Sequence, residues 1–268
     1  MPNVTVISSG NFDDGYNATA PTTYNETNAL LGRNSATSLF DNQTATLSIA
    51  AHGRIFGRAY NYRPFMAFDL SGNDDDGGSL SGNTVSAATL QIVTLADLTG
   101  FVNYTAETGD QIYVVKATAS STFNAASNYN DIDGWVSSGT YNGNVTQYGN
   151  ANQAAGATIT VTLNSTAISD INSAIGSGGN FKIALLTEDE FLSRTGTNNL
   201  GGMPGSSNLM YGIRFNTGEA TDAANRPKLS LTYGAASGYS KDVIGVDSGD
   251  IVKVNGVATA DIQKIIGV

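Results

Sequence analysis

A hydrolytic site needs a base beside a nucleophile, and this chain carries a single histidine, His52, in Ala50-Ala51-His52-Gly53-Arg54. To serve in a triad or a metal site, His52 would have to draw all its partners from Asp, Glu and Ser. Its ordinary reading is a surface or loop histidine. Glycoside cleavage by paired carboxylates could use Glu188, Asp189 or Glu190, clustered in Thr187-Glu188-Asp189-Glu190-Phe191. Adjacent acids at a strand end are ordinarily solvated, and these are expected to be. Asp74, Asp75 and Asp76 beside Gly77 and Gly78 could cage a calcium ion with carboxylate oxygens. Their spacing is not that of an EF-hand loop, so a hydrated loop is the plainer reading and no cofactor is expected beyond such a structural calcium. Gly201-Gly202-Met203-Pro204-Gly205 lacks the following lysine of a phosphate cradle and reads as a turn-rich loop. With no convergent acid/base set, the expectation is a non-enzymatic protein with no catalytic and no metal-ligating residues.

Two other groups of residues could do recognition. Tyr60, Tyr62, Trp135, Tyr141 and Tyr148 lie in or near loops, where exposed rings could stack on a glycan. Rings in such places also pin long loops and mark interfaces in general. The second group is the C-terminal end, which repeats with a period of eleven residues. Asp250-Ile251-Val252-Lys253-Val254-Asn255-Gly256-Val257 moved forward by eleven falls on Asp261-Ile262-Gln263-Lys264-Ile265-Ile266-Gly267-Val268, and moved back it finds Val243, Gly245 and Val246. So short a repeat cannot bury its own apolar face and should dock on something. Val243, Ile251, Val254, Val257, Ile262, Ile265 and Val268 are the candidate docking or oligomerisation contacts. Full burial is worth about 1.5–3 kcal/mol for each large aliphatic side chain. A disordered end or a small terminal helix is the alternative for this stretch.

The elements that must hold these residues are β-strands. The chain has 268 residues, 31 Gly, 5 Pro and 40% apolar residues, enough for one main domain with a proper core. Period-2 alternation recurs at Val4/Val6, Leu47/Ile49, Phe65 to Leu70, Ala88/Leu90/Ile92, Ile112/Val114, Ile159/Val161/Leu163, Phe181/Ile183/Leu185, Tyr211/Ile213/Phe215 and Leu229/Leu231/Tyr233. Strands with one buried and one wet face, joined by Gly/Asn/Asp/Ser loops, describe an all-β antiparallel sandwich or jelly roll. Ile168, Ile171 and Ile175 break the pattern at helical spacing and predict one short helix, with Ser165 as cap and Gly176 as stop. The stretches 137–157 and 195–208 read as long loops. The domain should span residues 1–233, with a linker at 234–238 and the docking repeat at 239–268.

Charge and composition narrow the partners. A net charge of −10 with 13 thinly spread Lys and Arg gives no footprint for phosphate backbones, so nucleic acid is a poor partner. The absence of cysteine removes disulfides and thiolate chemistry. Met1-Pro2-Asn3-Val4-Thr5-Val6 has neither the basic nor the apolar region of a secretory signal, and no run approaches the roughly 20 apolar residues of a membrane span. The sequons at Asn3, Asn17, Asn25, Asn42, Asn103, Asn144 and Asn164 follow from an Asn/Thr-rich composition and imply no glycans.

Three segments carry a family resemblance. Arg63-Pro64-Phe65-Met66-Ala67-Phe68-Asp69-Leu70-Ser71, Val85-Ser86-Ala87-Ala88-Thr89-Leu90 and Arg226-Pro227-Lys228-Leu229-Ser230-Leu231-Thr232-Tyr233 resemble the DNRLRE-type jelly-roll domains, relatives of a carbohydrate-binding module family. The resemblance runs from about residue 40 to residue 233, with Glu219 where that family often has an acid and its tryptophan-rich middle reduced to Trp135. The end of the chain, Lys253-Val254-Asn255-Gly256-Val257-Ala258 and the following Lys-Ile-x-Gly-Val, is similar to short repeats at the ends of bacteriophage structural proteins. Together these imply a surface-exposed virion protein, such as a head decoration or fibre, that associates with itself and with other virion proteins, a trimer being one symmetry that fits. A carbohydrate-binding module for host or extracellular glycan is the competing expectation.

Overall fold

The computed structural model describes residues 3–8, 15–19, 38–41, 47–55, 58–72, 79–95, 103–105, 111–118, 131–135, 144–192, 209–218, 220–235, 253–254 and 257–258. In chain order the strands are β1 (Asn3–Ser8), β2 (Gly15–Thr19), β3 (Ser38–Asp41), β4 (Leu47–Ile55), β5 (Arg58–Asp69), β6 (Asn83–Val93), β7 (Asn103–Thr105), β8 (Gln111–Lys116), β9 (Gln147–Asn152), β10 (Thr158–Thr162), β11 (Asn180–Thr187), β12 (Leu209–Asn216), β13 (Lys228–Ala235), β14 (Lys253–Val254) and β15 (Val257–Ala258). Helix α1 (Ser165–Ser177) lies between β10 and β11, and the one-turn helix α2 (Glu188–Phe191) continues directly from β11.

The fold is an all-β antiparallel sandwich. One sheet runs β1-β13-β6-β10; the other runs β7-β12-β4-β5-β11-β8-β9, with β2 paired to β5 and β3 to β2. Among the described strands every pairing is antiparallel except β7 with β12. The sheets share one core, in which Val85, Ala88, Leu90, Ile92, Ile159, Val161, Leu229 and Leu231 of the first meet Met66, Phe68, Ile112, Val114, Ile183 and Leu185 of the second. All nine stretches that alternate in the sequence are strands. In β10 of the four-stranded sheet the expected alternation is strict: Ile159 and Val161 are buried while Thr158, Thr160 and Thr162 are exposed.

The second sheet departs from the one-wet-face expectation. Tyr62 through Phe68 are all buried, and so are Ile183 through Thr187. Phe65, Ala67, Val115, Ala184 and Leu186 face away from the shared core into a second apolar cluster, closed by Ile132, Val145 and Phe191 from the covering segments. Those covering segments are connections, and alternation along β5 carries no record of them. Gly134 makes the cover possible: it sits at φ +76°, and a Cβ there would overlap the carbonyl oxygen of Asn144.

The stretch 137–157, expected to be loop throughout, contains β9. Gln147-Tyr148-Gly149-Asn150-Ala151-Asn152 has neither alternation nor β-branched residues, so its local preference for a strand is weak. Antiparallel pairing with β8 supplies what composition does not. Gly149 also lets β9 approach β10, since a Cβ at that position would stand 2.7 Å from the Thr162 carbonyl oxygen.

Helix α1 is the expected helix with shifted ends. Asn164 is its N-cap, with the side-chain oxygen accepting from the Ala167 N–H at 3.0 Å, and Gly178 in the left-handed region is its C-cap. Ser165 and Gly176 therefore lie inside the helix. Its buried face is Ala167, Ile171, Ala174 and Ile175, with Ile168 only partly covered. Asn172 fixes its rotation on the sheet: the amide oxygen accepts from the Val85 N–H at 2.8 Å, and the amide nitrogen donates to the Val85 carbonyl at 3.0 Å. Replacing Asn164 by alanine is expected to cost about 1–2 kcal/mol, read as a lower urea midpoint at an unchanged m-value. A loss below about 0.3 kcal/mol would mean that the cap contributes nothing the solvent does not.

Candidate functional site

Helix α1 crosses near the end of β8 and the starts of β9 and β11, and a cleft of about 280 Å³ opens between them. Asp170, Ser173, Ala174 and Ser177 line it from the helix, because positions three, four and seven apart share one face. Lys116 and Ala117 come from the end of β8, Tyr148 from β9, and Asn180, Phe181 and Lys182 from the start of β11. The rotation set by Asn172 and the start set by Asn164 thus decide which helix side chains line this cleft.

At its centre one carboxylate oxygen serves two donors. Asp170 Oδ2 accepts from the Tyr148 hydroxyl at 2.5 Å and lies 3.0 Å from Lys116 Nζ. The ion pair is partly open, with Lys116 34% and Asp170 28% exposed. Burial, reinforced by the hydrogen bond to Asp170 and the negative charges of Asp170 and Asp133, pushes the Tyr148 hydroxyl well above the usual phenol range. Tyr148 therefore stays a donor and holds Asp170 in place; it does not give up its proton at neutral pH. Its ring stacks on Phe181 at a centroid distance of 5.2 Å. The arrangement is one of fixed donors and acceptors suited to holding a polar group.

A second polar cluster lies on the other side of the larger sheet. Arg63 and Glu190 are both 0% exposed, and Arg63 Nε donates to Glu190 Oε1 at 2.5 Å. The guanidinium carbon stands 4.0 Å from the centroid of the Trp135 ring. Phe191 stacks on Tyr113 at 4.0 Å, and Glu188 Oε2 accepts from the Gln111 N–H at 2.9 Å. The acids expected to be solvated are thus partly corrected: Asp189 is 1% and Glu190 0% exposed, in a helical turn that closes the outer cluster. Two consecutive buried acids leave no trace in a hydropathy pattern. The buried cation Arg63, far away in sequence, is one partner of Glu190.

Two of the five candidate glycan-stacking residues are buried by the fold. Tyr62 is 8% and Tyr148 1% exposed, so both rings are core and present no face to a sugar. Trp135 is half-buried and carries Arg63 against its ring. Tyr148 and Trp135 belong to different packing clusters. Tyr60 lies in β5, and Tyr141 lies outside the described residues. His52 is a strand residue of β4, in register with Tyr211 and Asn61. The candidate calcium loop at 74–76, the stretch 195–208 and Glu219 fall outside the described residues. Among the described residues no group of three or more His, Cys, Asp or Glu is placed to hold a metal, and no helix is long and apolar enough to cross a membrane.

Of the docking candidates, Val254 and Val257 are register partners in the two-residue pairing of β14 with β15. Val243, Ile251, Ile262, Ile265 and Val268 lie outside the described residues. The cleft residues Lys116, Asp170, Ser173, Ser177 and Asn180 were not among the candidates. The one signal for them was a polar stripe at 170, 173 and 177, beside the apolar stripe of α1. No protein-family model matches the chain, and no curated protein matches it.

Proposed function

We propose that the chain is a non-enzymatic structural protein of a virus-like particle, a bacteriophage head decoration or fibre, whose sandwich is the displayed body and whose C-terminal repeat docks on further copies or on the particle. The observation that carries the reading is the pairing of Val254 with Val257 inside an eleven-residue repeat. A hairpin of two residues per strand is not stable by itself in water, so the apolar residues that recur around it need a surface to cover them. The similarity of this segment to repeats at the ends of phage structural proteins selects the particle among such surfaces. The body, in which β5, β8 and β11 are covered on both faces and the helix is clamped, suits a rigid exterior module.

The test is the mass in solution. The full chain is expected to be oligomeric, and a chain ending after Gly238 to be a folded monomer, by light scattering coupled to gel filtration. If the shortened chain keeps the mass of the full one, the docking role is wrong.

A further inference from the structure

We propose that the outer edge of β10 is a self-pairing surface, along which two copies of the chain join antiparallel and extend the four-stranded sheet from one molecule into the next. The site lies away from both the cleft and the C-terminal repeat. It goes beyond the docking role of the repeat, whose part here is only to raise the local concentration of copies.

Hydrogen-bond parity shows which groups the edge offers. β10 is the last strand of its sheet and, among the described strands, pairs only with β6. The Thr94 N–H donates to the Ala157 carbonyl at 2.9 Å and the Leu163 N–H to the Ala88 carbonyl at 3.0 Å, so the odd-numbered residues of this stretch bond toward β6. Consecutive residues of a strand turn their N–H and C=O groups to opposite sides, and Thr158, Thr160 and Thr162 therefore turn theirs away from the sheet. Gly149 of β9 closes the Thr162 end, since a Cβ there would stand 2.7 Å from the Thr162 carbonyl oxygen. The other end is open: Ala155 through Thr158, and Thr160, are exposed.

The features of this edge select a second copy as its occupant. Setting Thr158 of one copy opposite Thr160 of the other, about a two-fold axis at Ile159, uses only the open end, and the outward N–H and C=O groups of both threonines then find partners. The side chains brought opposite each other are also threonines, a favourable cross-strand pair. From Thr158 to Thr162 the strand carries no charge, so two chains of net charge −10 meet there without setting like charges against each other. It also lacks the lysine, proline or bulge that usually blunts an exposed edge. Each copy has one such edge, so the pairing closes at two. A contact this narrow is weak, with a dissociation constant on the order of 1 mM, and forms where copies are held close together. At the micromolar concentrations of a mass measurement it is dissociated.

The experiment is disulfide trapping in the full-length chain, which has no cysteine of its own. Thr158→Cys is mixed with a mass-tagged Thr160→Cys chain at about 1 mM in a glutathione redox buffer, and the linked species are weighed intact. In this register positions 158 and 160 of opposite copies have Cα atoms about 5.5 Å apart, within disulfide reach, whereas 158 to 158 and 160 to 160 lie beyond about 7 Å. The mixed disulfide is therefore expected to exceed each like-with-like product at least about fivefold, and to exceed by as much the product of Thr158→Cys with Thr166→Cys, an exposed position on α1. Adding Thr158→Pro to the Thr160→Cys chain should bring the mixed product down to that control level with circular dichroism unchanged, because proline at the first strand residue removes only an N–H that points away from β6. The cysteine comparison stands whether or not the proline variant folds. The proposal is overturned if the products form in statistical proportion, if the mixed product does not exceed the Thr166→Cys control, or if it survives Thr158→Pro in a folded chain. A missing cross-link in a full chain of oligomeric mass overturns the edge pairing alone. A cross-link in a full chain that is monomeric at micromolar concentration overturns the docking role of the repeat alone.

Discussion

Replacing Glu190 by alanine is expected to destabilise the protein by about 3–5 kcal/mol, because it takes a directly bonded carboxylate away from the buried Arg63 guanidinium. Both side chains are completely buried, and the contact is a direct Nε–Oε1 hydrogen bond. Removing one member of such a pair costs far more than the pair contributes, since the survivor keeps its desolvation penalty. Arg63→Met with Glu190→Met should therefore be much milder than either single change, returning to within roughly 1–2 kcal/mol of the parent. Urea unfolding of the four proteins, taken as a double-mutant cycle, measures this directly. Single variants within about 0.5 kcal/mol of the parent would show that water reaches the pair. The cation over Trp135 adds a second expectation: the Arg63 variant should change tryptophan fluorescence even in the folded state.

Phe65→Ala is expected to cost a further large amount, about 3–5 kcal/mol. Phe65 is 1% exposed and faces the outer cluster, away from the core that the two sheets share. A sandwich with one wet face per sheet would put this ring in solvent, where truncation usually changes stability by less than about 0.5 kcal/mol. Thr160→Ala, on the exposed face of the four-stranded sheet, is the control and should fall in that small range. Equal effects at the two sites would mean that the segments at 131–135 and 144–146 do not seal the larger sheet.

These two expectations mark where sequence reading stopped. Alternation placed nine strands correctly, because a residue's two-residue period is set by the shared core it faces. Helix α1 was legible from Ile168, Ile171 and Ile175, although Asn164, which reads equally well as a sequon, turned out to be its cap. What stayed hidden depends on partners distant in the chain. The buried Glu190 has Arg63 as a partner 127 residues away, and the outer cluster needs loops whose composition suggests exposure. Strand β9 has a polar sequence and exists through its neighbours. The cleft joins a helix face to the ends of two strands, so no contiguous motif could announce it. Tyr148 was singled out for its ring, whereas the structure uses its hydroxyl.

Asn164 has a role beyond starting a helix. Its backbone N–H donates to the Tyr148 carbonyl at 2.8 Å, and its side-chain amide donates to the Gln147 carbonyl at 2.7 Å. Both carbonyls belong to the border strand of the larger sheet, where vacant acceptors would invite a strand from another molecule. With those acceptors occupied and Gly149 drawing the strand in against Thr162, that border resists templated fibre growth. Where many copies are packed at high local concentration, such insulation steers association away from runaway lateral stacking and toward sites able to limit it.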